Sequence, residues 1–250
     1  MDVTDDTFLD GSVRILQPRT GHRAGVDAVL LAASVAVGDG AQVLDVGAGS
    51  GIVGLLIARR NPGAHVTAVE IEPDMAALAA QNADRNGLAP RYRVIAADLT
   101  APGRRLSALG LVAGSFDHVV ANPPYYLASA SQPAKSPLKR RANSMPDSDL
   151  AHWARFLAGM TRAGGTLTLI HRAEALPALF AHLGNRFGAL TVFPLFAKAG
   201  QAAGRMLLRG TKGSRAPLKL LPGLVLHEAD GQFRPEVEQM LRNGAPLVIG

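Results

Sequence analysis

Short apolar runs alternate with longer amphipathic segments through the middle of this 250-residue chain. Runs of four to eight apolar residues are typical of buried strands, and longer segments with helical periodicity are typical of helices. The pattern predicts strands over residues 42–46, 66–70, 92–97, 116–121, 166–171, 190–196 and 205–208. It predicts helices over residues 25–37, 73–86, 150–162 and 173–187, and one more that ends at Arg60.

Strands that alternate with helices indicate a parallel sheet with right-handed crossovers. We therefore predict an α/β fold with a mostly parallel, seven-stranded sheet and helices on both faces. The chain divides into a lead segment (residues 1–40), a central domain (41–216) and a C-terminal extension of the same domain (217–250). Residues 127–148 are rich in Ser, Pro, Lys and Arg, which indicates a long loop of the kind that is commonly functional.

The tetrapeptide Asn122-Pro123-Pro124-Tyr125 directly follows the predicted strand over residues 116–121. It therefore lies at the carboxyl end of a parallel strand, where open α/β sheets place their binding sites. Each proline ring fixes φ, so the backbone of this turn is stiff. The turn presents the Asn122 amide, the Pro123 carbonyl and the Tyr125 ring together, a set that suits an exocyclic amine on a planar ring. We expect all four residues to be catalytic.

A glycine-rich turn, Gly47-Ala48-Gly49-Ser50-Gly51, joins the predicted strand over residues 42–46 to the next helix. Glycines allow a tight turn and the close approach of a ligand to the backbone. The spacing differs from the dinucleotide pattern G-x-G-x-x-G, and no Gly-Lys-Ser/Thr follows as in a P-loop. Asp45 would repel a pyrophosphate at this turn and would suit a cation, such as the amino group of a methionine moiety.

Three carboxylates, those of Asp45, Glu70 and Asp98, come at or near the ends of successive predicted strands. Neighbouring strand ends lie about 4.8 Å apart, so the set outlines one elongated ligand. Glu70 can accept both hydroxyls of a ribose, and Asp98 can accept from an adenine amino group. This order of groups indicates S-adenosylmethionine. We predict cofactor contacts from Asp45, Gly47, Gly49, Gly51, Glu70, Ile71, Asp98, Leu99 and Asn122, and from Arg23 and Asp27 in the lead segment.

From residue 43 to residue 171 the chain resembles class I S-adenosylmethionine-dependent methyltransferases, which have a Rossmann-like fold. The tetrapeptide resembles that of the branch that methylates adenine N6, cytosine N4 or a glutamine amide. Residues 17–32, QPRTGHRAGVDAVLLA, are similar to the segment before the glycine turn in the tRNA adenine-N6 methyltransferase family, as are residues 204–208 and 212–216 in the tail. That family acts on the adenosine beside the anticodon of valine tRNA. The resemblance implies an RNA-binding, tRNA-modifying N-methyltransferase that forms N6-methyladenosine, with the lead segment packed over the active site.

The residues around the catalytic turn are expected to bind the substrate. Tyr125 would stack on the target base, and Tyr126 would either flank the base or pack inward. The long loop just after the turn carries basic residues that we expect to contact RNA phosphates. They are Lys135, Lys139, Arg140 and Arg141.

The amino-acid composition limits the partners, metal sites and cellular location that the chain can have. The formal net charge of +6 is compatible with a polyanionic partner and also with ordinary solubility. The chain has no cysteine, which excludes disulfides and thiolate metal sites and indicates a reducing compartment. The seven histidines show no metal-site spacing, so we predict no metal.

The acidic N-terminus is unlike a signal peptide, and no apolar stretch is long enough to span a membrane. We expect a cytoplasmic protein, monomeric or homodimeric.

The same residues are also compatible with other functions. A release-factor glutamine methyltransferase shares the Asn-Pro-Pro-Tyr turn, but that family usually has a separate N-terminal helical domain, whereas about 40 residues precede the glycine turn here. A DNA adenine-N6 methyltransferase is a second alternative, although we see no added target-recognition domain. A catalytically silent RNA-binding protein of the same fold is a non-enzymatic alternative that the intact tetrapeptide disfavours. The glycine spacing and Asp45 disfavour a dinucleotide oxidoreductase.

Overall fold

The computed structural model describes residues 1–20, 23, 25–123 and 147–249. The strands in these residues are β1 (Val3–Phe8), β2 (Val13–Pro18), β3 (Gln42–Val46), β4 (His65–Glu70), β5 (Tyr92–Ala96), β6 (Phe116–Ala121), β7 (Thr161–Arg172), β8 (Phe187–Lys198), β9 (Ala203–Lys212), β10 (Lys219–Leu220) and β11 (Leu224–His227). The helices are α1 (Val26–Ala33), α2 (Ile52–Arg60), α3 (Pro73–Arg85), α4 (Gly103–Ala108), α5 (Asp147–Met160), α6 (Leu176–Leu183) and α7 (Pro235–Asn243).

Nine of these strands form one sheet in the order β10-β8-β9-β7-β6-β3-β4-β5, with β11 also paired to β8. Strands β5, β4, β3, β6 and β7 are parallel, and β9 lies antiparallel between β7 and β8. These strands together with β8 confirm the predicted mostly parallel, seven-stranded sheet. The short strands β10 and β11 pair in parallel with successive parts of β8 and widen the sheet at that edge.

Two hydrophobic cores, one on each face, explain why the central strands are apolar throughout. Within β3, Val43 contributes to the core that holds α1 and α2, and Leu44 and Val46 contribute to the core that holds α5. All three residues are fully buried. A strand covered by helices on both faces buries its residues in both directions, so it carries an apolar run without strict alternation.

Helix α3 ends at the position that the sequence predicts. Gly87 has a φ of +67°, and the N–H of Leu88 donates to the carbonyl of Ala83 at 2.9 Å. The N–H of Gly87 donates to Asp84 O at 3.0 Å. This pair of bonds is a Schellman motif, in which a left-handed residue closes the last helical turn. Glycine stands there because it adopts a positive φ at little cost.

Several boundaries differ from the sequence prediction. Residues 173–187, predicted as one helix, contain a short 3₁₀ turn (Ala173–Ala175) and α6, and Phe187 already belongs to β8. The reason is tertiary: Phe187 is buried and pairs with Lys212 in β9. Helix α5 ends at Met160, because Thr161 already pairs with Phe116 before an irregular stretch of β7.

The two ends of the chain hold elements that the hydrophobic pattern did not reveal. Strands β1 and β2 form an antiparallel hairpin in the lead segment. In the tail, β10 and β11 join the central sheet and α7 packs against α1. Each strand of the tail spans only two to four residues, too few for periodicity to identify. None of the helices that the structure describes is long and apolar enough to cross a membrane.

Candidate active site

The glycine turn, Glu70, Asp98 and Asn122 lie where β3, β4, β5 and β6 end. Val46 pairs with Val69 on one side and with Ala121 on the other. Gly47 and Asn122 are therefore the next residues of two hydrogen-bonded strands, and neighbouring strands lie about 4.8 Å apart. The glycine turn and the first residue of the tetrapeptide thus stand side by side at the carboxyl edge of the sheet.

The glycine turn requires glycine for conformational reasons. Gly47, Gly49 and Gly51 have φ values of +70°, +56° and +90°, in the left-handed region that other residues rarely adopt. The N–H groups of Gly47 and Ala48 both donate to Val69 O, at 2.9 and 3.0 Å. These bonds fold the turn across the end of β4, which brings its backbone to the edge where Glu70 lies.

Glu70 is held by the backbone around it. The carboxylate is mostly buried, and its Oε2 accepts the N–H of Gly49 at 2.8 Å. Its Oε1 accepts the N–H groups of Ile71 and Glu72, at 2.8 and 3.0 Å. A carboxylate offers about four acceptor positions, so the position left on Oε2 lies beside the glycine turn. Ile71 is 56% exposed, which leaves an apolar side chain next to this carboxylate.

Asp98 lies at the end of the next strand. The N–H of Ala97 donates to Glu70 O at 2.9 Å, which joins the two strand ends. Oδ1 of Asp98 accepts the backbone N–H and the hydroxyl of Thr100, at 2.8 and 2.7 Å. The backbone bond from Thr100 is the main reason that the pKa of Asp98 is lowered. Both donors reach Oδ1, so Oδ2 is the oxygen placed to accept from a ligand. Leu99 is half-buried against the core beside α5.

Asp45 is buried behind the glycine turn. The side chain is 1% exposed, and its Oδ2 accepts the N–H of Gly54 in the first turn of α2 at 2.9 Å. Burial, with a smaller contribution from the charge of Glu70, raises the pKa of Asp45 to about 7. The carboxylate therefore secures the helix that follows the turn. Its direct contact with a cofactor amino group stays a prediction.

The raised pKa of Asp45 predicts a pH dependence of stability. Because the folded-state pKa of about 7 lies above the unfolded value of 3.8, the folded protein retains a proton that the unfolded chain releases. The free energy of unfolding should therefore fall as pH rises from 3.8 towards about 7, and this loss should level off above that range. In Asp45→Asn the loss should be absent. Urea unfolding of both proteins between pH 4 and pH 8 measures it, and parallel pH curves for the two would contradict the assignment.

Two aromatic residues that support the turn have no sequence signal that identifies them. Tyr92 is buried, and its hydroxyl donates to Gly51 O at 3.1 Å. Trp153 of α5 lies against Gly47 so closely that a Cβ on this glycine would be 2.7 Å from the ring carbon Cη2. Both contacts join residues far apart in the chain. Only the fold brings them together.

Asn82 of α3 and Asn86, the residue that caps this helix, fasten the N-terminal hairpin beside the site. Oδ1 of Asn82 accepts the N–H of Leu16 at 2.8 Å, and its Nδ2 donates to Leu16 O at 3.0 Å and to Ser50 O of the glycine turn at 2.9 Å. Asn86 repeats the pattern with the N–H and carbonyl of Arg14, at 2.9 and 2.7 Å. Asn82 is completely buried. The two amides thus pair with the edge of β2 as a neighbouring strand would.

Asn82→Ala is expected to lower the free energy of unfolding by about 2–3 kcal/mol, because it leaves buried backbone groups of Leu16 and Ser50 without their partner. Asn86→Ala is the matched control. It removes the equivalent pair of bonds at a more exposed position, where water can replace them, so a loss of about 1 kcal/mol or less is expected. Urea denaturation measures both, and equal losses in the two variants would contradict the special role of Asn82.

The two predicted lead-segment contacts are engaged in ion pairs. The guanidinium of Arg23 donates to Thr4 Oγ1 at 2.8 Å and to Asp6 Oδ2 at 2.5 Å, which ties the segment after the hairpin to β1. Asp27 at the start of α1 pairs with Arg205 at 3.1 Å. Arg205 of β9 is the strand-pairing partner of Arg172, which lies at the carboxyl end of β7. Asp27 therefore lies at the catalytic edge, and cofactor contacts from Asp27 and Arg23 stay predictions.

The described part of the tetrapeptide consists of Asn122, which is half-buried, and Pro123, which is buried. The other predicted catalytic and substrate residues lie outside the described residues; they are Pro124, Tyr125, Tyr126, Lys135, Lys139, Arg140 and Arg141. Across residues 1–20, 23, 25–123 and 147–249, no group of three or more metal-ligating side chains comes together.

Comparison with known proteins identifies the family. Residues 24–138 match the family described as "Methyltransferase small domain". A tRNA1(Val) (adenine(37)-N6)-methyltransferase from Aeromonas hydrophila is 30% identical over 227 residues, which cover 89% of either protein. The release factor glutamine methyltransferase of Chlorobaculum tepidum is 39% identical, but over only 47% of this chain and 39% of its own length. A crystal structure of a predicted O-methyltransferase from Agrobacterium tumefaciens superposes with a TM-score of 0.73 at 31% identity, over 89% of this chain and 97% of that one.

The residues of the site fit S-adenosylmethionine. A backbone turn with three positive φ values offers a close approach, the Glu70 carboxylate is fixed beside it, and Asp98 is exposed at the next strand end. These acceptors suit the hydroxyls and the amino group of an adenosine, and none of them suits a pyrophosphate. The similarity to the Aeromonas enzyme over 89% of both chains shows that the chain belongs to the tRNA1(Val) (adenine(37)-N6)-methyltransferase family and is an S-adenosylmethionine-dependent methyltransferase.

Proposed function

We propose that this protein methylates N6 of adenine 37 in the anticodon loop of a valine tRNA. The observation that carries the proposal is the similarity to an enzyme named for that reaction along 89% of both chains. The similarity to the release factor methyltransferase covers less than half of either protein, as expected where only the cofactor-binding part is shared. The lead segment is proposed to pack over the active site, and the cytoplasmic location and the monomeric or homodimeric state are part of the same proposal.

The site supports this reaction through Asn122. An adenine N6 amine is a poor nucleophile, because its lone pair is delocalised into the ring. Hydrogen bonds from N6–H to the side-chain oxygen of Asn122 and to the carbonyl of Pro123 would favour a pyramidal nitrogen and would stabilise its developing positive charge. Asn122 follows Ala121, the residue paired with Val46, so these acceptors stand next to the glycine turn.

Bound S-adenosylmethionine supplies an electrophilic methyl group on a sulfonium. Asn122 and Pro123 would hold the amine so that N6 displaces the sulfide from that methyl group, and the methylated amine would then release a proton to solvent. Asn122 and Pro123 act as neutral acceptors throughout, and no strong base is required before the transfer. Most of the acceleration comes from holding the two reactants in line, an effect worth up to roughly 7–11 kcal/mol. Tyr125 is proposed to stack on the target base, which would be worth roughly 1–3 kcal/mol.

A methyl-transfer assay tests the proposal against its alternatives. The protein receives labelled S-adenosylmethionine together with total tRNA from a strain that lacks the gene, with a release factor, or with unmethylated DNA. Label that is recovered as N6-methyladenosine from tRNA is the expected result. Label in the release factor or in DNA instead would assign the site to one of the other amino-methylating classes.

Catalysis and cofactor binding should also respond differently to Asp98→Ala. Loss of the Asp98 carboxylate removes the proposed acceptor for the adenine amino group, so the dissociation constant of S-adenosylmethionine should rise by about tenfold, equivalent to about 1.4 kcal/mol. The rate at saturating cofactor should change much less. Isothermal titration with the wild type and the variant measures this difference, and an unchanged affinity would refute the role of Asp98.

A further inference from the structure

One long stretch of the chain is free of acidic residues. No Asp or Glu occurs in residues 175–227, although a segment of this length would hold about four at the chain's overall frequency of 20 in 250. The same stretch carries cations throughout; they are Arg186, Lys198, Arg205, Arg209, Lys212, Arg215 and Lys219. Such a separation of charges is characteristic of a surface that meets a polyanion.

The structure shows that four of these cations are already engaged. Arg205 pairs with Asp27, and Arg209 is largely buried and donates to Ser34 O. The ammonium groups of Lys198 and Lys212 donate to the carbonyls of Ala229 and Thr161, at 2.9 and 2.6 Å. These four contacts hold the sheet, its loops and α1 together, so none of the four side chains is a strong candidate for an external anion.

The other three cations make none of these long-range contacts, and the bond of Arg186 is to the nearby carbonyl of His182. Arg186, Arg215 and Lys219 are exposed, and none forms an ion pair with another described residue. Two of them line an open hollow of about 510 Å³ where β8 begins and β9 ends. The polar side chains around it are Asn185, Arg186, Ser214 and Arg215. Every charged group that lines the hollow is therefore positive.

The backbone around the hollow has one close contact between segments and one rare conformation. At Gly188 a Cβ would be 2.0 Å from Ser214 O, so the two segments are in direct backbone contact. Ala189 has a φ of +48°, rare for a residue other than glycine, and its N–H donates to Ala216 O at 2.9 Å. Such conformations persist where surrounding structure imposes them, and they concentrate at ligand-binding sites. The Arg186 guanidinium is anchored by a bond to His182 O at 2.8 Å, which orients its other donors.

The hollow lies at the opposite end of the sheet from the catalytic edge. Strand β8 begins at the hollow and runs 12 residues to the catalytic side, a length of about 40 Å at roughly 3.3 Å per residue. A small anion could not bridge this distance. A nucleic-acid strand that advances about 3.4 Å per nucleotide would span it in about twelve nucleotides.

We propose that Arg186 and Arg215, which line this hollow, together with Lys219, which follows the lining residue Leu218, bind the phosphate backbone of the tRNA substrate at a distance from the methylated nucleotide. The inference rests on the proposed function for the identity of the RNA. A guanidinium presents several donors in a fixed plane and can contact one phosphate through two bonds, which suits a site that recognises backbone without reading sequence.

The test compares full-length tRNA with the isolated anticodon stem–loop, which is too short to reach the hollow. In Arg186→Ala/Arg215→Ala, the slope of log affinity against log salt for full-length tRNA should fall by about two, roughly one for each phosphate contact removed. Affinity for the stem–loop and the rate of its methylation should be unchanged. Arg234→Ala is the control, because this arginine is partly exposed at the surface and pairs with Glu228 and Glu236. It should leave both RNAs unaffected.

The outcomes separate this inference from the proposed function. If the double variant binds full-length tRNA with the same salt dependence as Arg234→Ala, the hollow is not an RNA-binding site. Methylation of tRNA by the wild type would still support the proposed function. A wild-type protein that methylates neither RNA removes the proposed function and the inference with it. If the double variant loses binding to anionic vesicles but retains tRNA binding, the hollow binds a membrane surface, and the proposal is overturned. Matching melting temperatures confirm that the variants are folded.

Discussion

Asn122→Ala is expected to lower the rate of methyl transfer at saturating substrates by roughly 10²–10³-fold or more, the scale found when one stabilising polar group is removed from a reaction centre. The side-chain oxygen of Asn122 is the proposed acceptor for the adenine amine. Cofactor affinity should remain within about threefold of wild type, because the glycine turn, Glu70 and Asp98 are bonded independently of this side chain. Single-turnover rates with tRNA and isothermal titration with S-adenosylmethionine measure the two quantities separately.

The control for this experiment is Asn243→Ala. Asn243 is an exposed asparagine at the end of α7 that bonds only Gln239 among the described residues. It should behave as wild type in both assays. If Asn122→Ala loses cofactor affinity in parallel with the rate, Asn122 supports the structure of the turn and the assignment of a direct role in catalysis is wrong.

Gly47→Ala is expected to weaken cofactor binding by tenfold to a hundredfold or more. A left-handed backbone costs an alanine about 1–2 kcal/mol. The new Cβ would also meet the Trp153 ring at 2.7 Å, a distance at which one of the two groups must move. Trp153 of α5 packs against the core on that face of the sheet, so movement of either group changes the surroundings of the glycine turn. Isothermal titration measures the affinity, and emission from Trp153, the only tryptophan in the chain, reports whether its surroundings have changed.

Gly164→Ala separates backbone strain from the clash. Gly164 has a φ of +71°, nearly that of Gly47, but a Cβ there would meet nothing within 4 Å. It carries the same conformational cost at a site away from the glycine turn, so some stability should be lost and cofactor affinity retained. Wild-type affinity in Gly47→Ala would show that the contact with Trp153 does not position the turn.

The parts of this site that depend on short-range sequence could be predicted. The strand before each site residue, the glycines of the turn and the cap at Gly87 all follow from local patterns. The neighbouring positions of Gly47 and Asn122 then follow from parallel pairing, because the strands that carry them are adjacent. These features need only the chain's own periodicity and the geometry of α/β sheets.

The parts that depend on long-range packing could not be predicted. The bond between the Asp45 carboxylate and the N–H of Gly54 at the start of α2 has no sequence pattern that announces it. Asn82 carries no distinguishing pattern, yet it joins the hairpin to the glycine turn. Trp153 has the spacing of a core residue, and its contact with Gly47 arises only when α5 packs on the sheet. Side-chain direction and partners of this kind are properties of the assembled fold.

Position-specific methylation of a valine tRNA transcript tests the central claim most directly. The protein is incubated with S-adenosylmethionine and either the unmodified transcript or one with guanine in place of adenine at position 37, and nucleosides and oligonucleotide fragments are analysed by mass spectrometry. The proposed function predicts about one N6-methyladenosine per transcript, located at position 37 and absent from the substituted transcript. Equal methylation of both transcripts, or none in either while the cofactor binds, would contradict it.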